Sequence, residues 1–135
     1  MAESPIADSS FLAALLRRRD QHHAWAVREA EQFRPPWHTC ESALSETLYL
    51  TGPGGLEPLA GMVHRRSLLI SLDFSAHYDA VFSLMEKYRD VPMSFADACL
   101  VRMTELLPNP LVLTTDADFR IYRRHSRRVV PCRMP

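Results

Sequence analysis

Two hydrophobic rhythms alternate along this chain. Short apolar stretches occur at Ile6-Ala7, at 67–73 (SLLISLD) and at 111–115 (LVLTT), with a smaller candidate, WHT, at 37–39. Runs of this length bounded by turn residues suit strands better than helices. Pro5 has no N–H for a ladder, so the first strand is expected to be brief or irregular at its start. The segments between carry helical spacing. In SFLAALLRRR (10–19), Phe11, Leu12, Leu15 and Leu16 share one face, and Asp20 is a fair N-cap for a second helix that Pro35-Pro36 stops. CESALSETLYLT (40–51) and LEPLAGMVHRR (56–66) predict two more helices, separated by Gly52-Pro53-Gly54-Gly55. SAHYDAVFSLMEKYRD (75–90) repeats Tyr78, Val81, Phe82 and Met85 on one side, and SFADACLVRMTELL (94–107) runs until Pro108 and Pro110. A last strand is a candidate at 128–130.

Strands separated by one or two helices call for crossover connections and hence parallel pairing, and such crossovers are right-handed in nearly all cases. The expected architecture is therefore α/β: a three-layer sandwich with a small, mostly parallel central sheet flanked by helices. In such sheets ligands bind beyond the carboxyl ends of the strands. Residues immediately after each strand are the ones to inspect.

With 135 residues, the chain fits a single domain, 1–135, large enough to bury a core. Its formal net charge is zero, so no overall field draws it toward nucleic acid or membrane. The charge is uneven, however. Beyond Phe119 come Arg120, Arg123, Arg124, Arg127, Arg128 and Arg133, with no acid among them, and any polyanion contact belongs near that end. Cys40, Cys99 and Cys132 are widely spaced and read as reduced thiols. The N-terminal residues lack a signal-peptide pattern and no run approaches the ~20 apolar residues of a membrane span, so a soluble, cytoplasmic protein is expected.

Several chemistries lack their signatures. The six histidines show no HExxH or other zinc spacing, GPGG is no phosphate-binding loop, and no GxSxG elbow is present. The carboxylates are more informative. Taken singly, Asp8 suits a helix N-cap, Ser94-x-x-Asp97 and Thr115-x-x-Asp118 suit capping boxes, and Glu46 suits a solvated helix face. Taken together, Asp8 and Asp116 fall at carboxyl ends of strands on one sheet edge, and Asp97 lies in the first turn of a helix near it. Phe95, Ala96, Ala98, Cys99, Leu100 and Val101 surround Asp97 in sequence, a costly setting for a carboxylate. Clustered carboxylates raise one another's pKa unless a cation neutralises them, and Mg2+, with its preference for oxygen ligands, suits that role. One or two such ions would serve phosphodiester cleavage.

Asp8-Ser9-Ser10, LSETLYL (44–50), PMSFADACLV (92–101) and VLTTDADF (112–119), in that order, resemble the PIN domain. RRRDQHHAWA (17–26) also looks like the helix pair that follows its first aspartate. Within the family the likeness is to toxin ribonucleases of VapBC type. The resemblance implies that Asp8, Glu46, Asp97 and Asp116 form an acidic quartet holding Mg2+ or Mn2+. By the same likeness Asp118 is a secondary acid, and Ser10 lies where a hydroxyl assists metal or water binding. It further implies metal-dependent endoribonuclease activity, a cognate antitoxin that blocks the site, and a homodimer. Relatives often carry an acid where this chain has Ser94, which leaves the choice between one metal and two open. It also keeps alive a competing reading, a catalytically silent PIN-like module that binds RNA or a protein partner. For the RNA, Arg120, Arg123 and Arg124 are candidate phosphate contacts, and Tyr122 and Trp37 are candidate stacking rings that serve equally as packing residues.

Overall fold

The computed structural model describes residues 2–135. It follows the expected β-then-two-helices repeat: β1 (Ser4–Ala7), α1 (Ser9–Leu16), α2 (His23–Gln32), β2 (Trp37–Thr39), α3 (Glu41–Thr51), α4 (Leu56–His64), β3 (Leu68–Ile70), α5 (Phe74–Lys87), α6 (Phe95–Leu106) and β4 (Pro110–Leu113). The remaining strands are β5 (Arg123–Arg124), β6 (Arg128–Val129) and β7 (Cys132–Arg133). The main sheet has the order β3-β2-β1-β4-β7 and every neighbouring pair in it is parallel. Helices cover both faces, giving the three-layer sandwich.

Strand pleating divides the core. Ile6 and Val112 point into a cluster with Val81, Leu100, Val101 and Met103 from α5 and α6. Their neighbours Ala7 and Leu113 point the other way, toward Phe11, Leu12, Trp25, Trp37, Leu59 and Met62. This is the period-two alternation of a sheet buried on both sides.

Pro5 lies within the central strand, opposite Leu111, rather than at its start. The strand tolerates it because the Ser4 and Asp8 N–H groups both bond carbonyls on the β4 side, Asn109 and Leu113. Alternation turns the position-5 nitrogen toward β2, and β2 pairs with β1 only at Ile6↔His38. Asp20 differs too. Its carboxylate accepts the His22 N–H at 2.8 Å in the turn, while His22 occupies the cap position of α2 without a side-chain bond. The break after α3 is a single 3-10 turn, Gly52–Gly55. Gly52 has φ of 68° there, and a Cβ at Gly55 would collide with the Thr51 hydroxyl.

The C-terminal end departs furthest from the sequence reading. Residues 128–129 do not join the main sheet but pair antiparallel with β5, and β7 instead extends the main sheet beside β4. Glu29 of α2, buried, accepts two bonds from Arg133 of β7 at 3.0 and 3.1 Å, holding that edge strand in place.

Candidate functional site

Strand order reverses between β1 and β4, since β2 and β3 lie on one side of β1 and β4 on the other. In an open parallel sheet such a switch point opens a crevice at the carboxyl ends. Asp8 follows β1 there, and Thr114, Thr115 and Asp116 follow β4.

Asp8 is 3% exposed and caps α1, accepting the Ser9 N–H at 2.7 Å on Oδ1. Its Oδ2 accepts the Thr114 hydroxyl at 2.6 Å and the Ser10 hydroxyl at 2.9 Å. Thr114 Oγ1 in turn accepts the Asp116 N–H at 2.9 Å, and Ser10 Oγ accepts the Thr115 N–H at 3.0 Å. Each hydroxyl thus passes one hydrogen to Asp8 and takes one from the loop after β4. The two strand ends are tied together through a single carboxylate oxygen. Asp116 holds its own turn, with Oδ1 accepting the Asp118 N–H at 2.9 Å at the start of a 3-10 turn, Ala117–Arg120.

Glu46, from α3, accepts the Ser9 hydroxyl at 2.9 Å, which brings it to the same edge. Its charge adds to the forces raising the Asp8 pKa, although burial is the main one. Glu41, at the start of the same helix, lines a separate small cavity with Cys40 and Cys99.

Asp97 lies in the first turn of α6. The Ser94 hydroxyl caps that turn by accepting the Asp97 N–H at 3.0 Å. Ala96, Ala98, Cys99, Leu100 and Val101 are all buried, and Asp97 is 8% exposed. Tyr122, itself fully buried, donates its hydroxyl to Asp97 Oδ2 at 2.8 Å. Burial first, and then the Asp8 and Asp116 charges, push the Asp97 carboxyl up to about 7 against the Tyr122 bond, which acts downward. The charges of Asp8 and Asp116, at the ends of neighbouring strands, thus both act on Asp97.

Among the described residues none of Asp8, Glu46, Asp97, Asp116 and Asp118 is ion-paired. Nor do any three described acidic, histidine or cysteine side chains form a group that would hold a metal ion as placed. The donor chemistry nonetheless suits a hard divalent cation, being all carboxylate oxygen with unneutralised charge.

The arginine candidates divide. Arg120 is exposed. Arg123 turns its guanidinium back onto the carbonyls of Arg120, Ile121 and Tyr122 at 2.8, 3.2 and 2.9 Å. Arg124 donates to the Thr104 carbonyl at the end of α6. Both stacking candidates are packing residues: Trp37 sits edge-on to Phe11, and Tyr122 edge-on to Tyr88 and Phe119. Sequence reasoning missed three residues that position acids, namely Ser9, Thr114 and Tyr122. The Thr-Thr doublet preceding Asp116 was a usable signal for Thr114; nothing in sequence ties Tyr122 to Asp97, 25 residues away.

Comparison with known proteins finds both a family likeness and a structural one. A family model described as the PIN domain matches residues 6–124. Among solved structures, the chain is similar to VapC20 of Mycobacterium tuberculosis, described as a sarcin-ricin loop cleaving toxin. The TM-score is 0.70 at 20% identity, covering 85% of this chain and 92% of that one. No curated protein matches the sequence.

Proposed function

The chain belongs to the PIN domain family, and from that premise we propose that it is a metal-dependent endoribonuclease, the toxin of a toxin–antitoxin pair. The observation that carries this reading is the tie, at the sheet's switch point, between Asp8 and the loop bearing Asp116 through Thr114 and Ser10, with the charges of both acids acting on Asp97 and none of the three ion-paired among the described residues. The structural likeness to a toxin that cleaves the sarcin-ricin loop supports RNA as the substrate class and a protein antitoxin as the partner.

Asp8, Asp97 and Asp116 would hold Mg2+ or Mn2+, with Glu46 at the margin and Asp118 in a secondary place. A bound divalent ion supplies charge stabilisation at phosphorus and lowers the pKa of water. The chain's own groups do the positioning. Thr114 and Ser10 occupy Asp8 Oδ2 and fix the carboxylate plane. Tyr122 does the same for Asp97 through Oδ2. Ser10 holds Asp8 and the 114–116 loop, in addition to a secondary place at the metal or its water.

Cleavage of a single-stranded RNA in Mg2+ or Mn2+, abolished by EDTA and by Asp8→Asn or Asp97→Asn in folded protein, is the expected result. Wild-type cleavage that persists in EDTA would overturn the metal mechanism. A second reading, the silent PIN-like module, is favoured by one observation: Ser94 spends its hydroxyl on capping α6 and brings no further acid to the site. Titration calorimetry with Mn2+ separates the two, since the silent module would bind no metal near neutral pH.

A further inference from the structure

One feature of the site edge has no part in holding acids. Tyr49 of α3 is 87% exposed, more than any other large hydrophobic residue described. It sits one turn beyond Glu46 and Ser45, so the three share a helix face. Together with Ser9 and Leu50 they line an open groove of about 510 Å³, within the ~300–1,000 Å³ typical of small-molecule sites. The groove is continuous with the acid cluster, because Ser9 and Glu46 belong to both: Ser9 donates its N–H to Asp8 and its hydroxyl to Glu46.

We propose that this groove is a nucleobase site, in which Tyr49 stacks on an unpaired base of the RNA next to the phosphate being cleaved. The proposal rests on the ribonuclease reading for its substrate class. Three features favour a base. A ring this exposed offers a full π-face, and stacking on an aromatic accepts any base. The Glu46 carboxylate in the wall disfavours a phosphate but accepts hydrogen bonds from the exocyclic amino groups and ring N–H of bases. Hydroxyls of Ser45 and Ser9 add small polar contacts beside the apolar Leu50. A nucleotide whose phosphate lies at the carboxylates thus finds, on the neighbouring helix, a surface suited to its base.

The test is RNA binding without turnover. Short single-stranded RNAs carrying 2-aminopurine at successive positions are titrated with the wild-type protein in Ca2+, an oxygen-binding ion that bridges carboxylates and phosphate, and compared with Tyr49→Ala and Tyr49→Phe. Stacking predicts that one position is quenched on binding. Tyr49→Ala should remove that quenching and weaken affinity about tenfold, the loss of one stacked base, whereas Tyr49→Phe should keep both. Unchanged affinity and quenching in Tyr49→Ala would overturn the base site. If that variant altered only the sedimentation of the protein, the face would belong to a second copy of the chain. The two readings also fail separately. Metal-dependent cleavage unaffected by Tyr49→Ala would leave the nuclease and remove the base site. Tyr49-dependent RNA binding without cleavage in any divalent ion would leave the base site and remove the nuclease.

Discussion

The Tyr122 hydroxyl donates to Asp97 Oδ2 at 2.8 Å, joining the segment after β4 to the first turn of α6. This bond is the larger of two contacts, with that of Ser94, that act against the burial and the two neighbouring acids raising Asp97. Hydrogen bonds to charged groups contribute roughly 1.5–3 kcal/mol. Tyr122→Phe should therefore lower unfolding stability by about 2 kcal/mol in urea denaturation near neutral pH. It should also move the Asp97 carboxyl higher, which an NMR titration of the side chain would detect. An unchanged titration would separate the two residues.

Stability of the metal-free protein should fall as pH rises. In the unfolded chain an aspartate titrates near 3.8, whereas Asp97 in the fold is held at about 7, and Asp8 is also raised. Between those values the folded state binds more protons than the unfolded one, so each upward step in pH favours unfolding. The groups facing Asp97 are Asp8, Asp116 and Tyr122, none of them cationic. Urea denaturation in EDTA should give greater stability at about pH 5 than at about pH 8. Asp97→Asn should flatten much of that slope.

Divalent ions should reverse the effect. Mn2+ at about a hundred times its Kd would add roughly 2.7 kcal/mol to the folded state. The melting temperature should rise with Mn2+ in the wild type and stay level in Asp8→Asn and Asp97→Asn. A rise that survives both substitutions would move the metal away from these carboxylates.

The arginines after Phe119 should differ in kind. Arg120→Ala should weaken RNA binding and reduce its salt dependence while leaving stability unchanged, since the residue is exposed. Arg124→Ala should cost stability instead, because its guanidinium serves the Thr104 carbonyl at the end of α6. Filter binding across a salt series, paired with denaturation of each variant, distinguishes them.

Arg133→Ala should destabilise the fold by about 2 kcal/mol, because it leaves the Glu29 carboxylate buried without its donor. Glu29→Gln should cost less, since the amide oxygen still accepts. Equal losses in urea denaturation would assign the effect to the Glu29 charge, whereas no loss at all in Glu29→Gln would point to packing of the Arg133 guanidinium over the Phe33 ring.

Much of this was legible in the chain itself. The β-helix-helix repeat follows from apolar runs too short for helices alternating with helical spacing, and it dictates parallel pairing because hairpins cannot join such strands. The repeat also places Asp8 and Asp116 at one sheet edge, since both follow strands that run the same way. Three things needed the tertiary structure. Pro5 is admitted to the central strand by the direction its missing N–H would have taken, and that depends on which neighbour pairs at that level. The β5–β6 hairpin turns through His125 and Ser126 at positive φ, where no glycine or asparagine advertises a turn. Most of all, Thr114, Ser10 and Tyr122 reach their carboxylates across separations of 106, 2 and 25 residues. Local pattern records which residues dislike water; only the folded chain decides which hydroxyl lies within 3 Å of which acid.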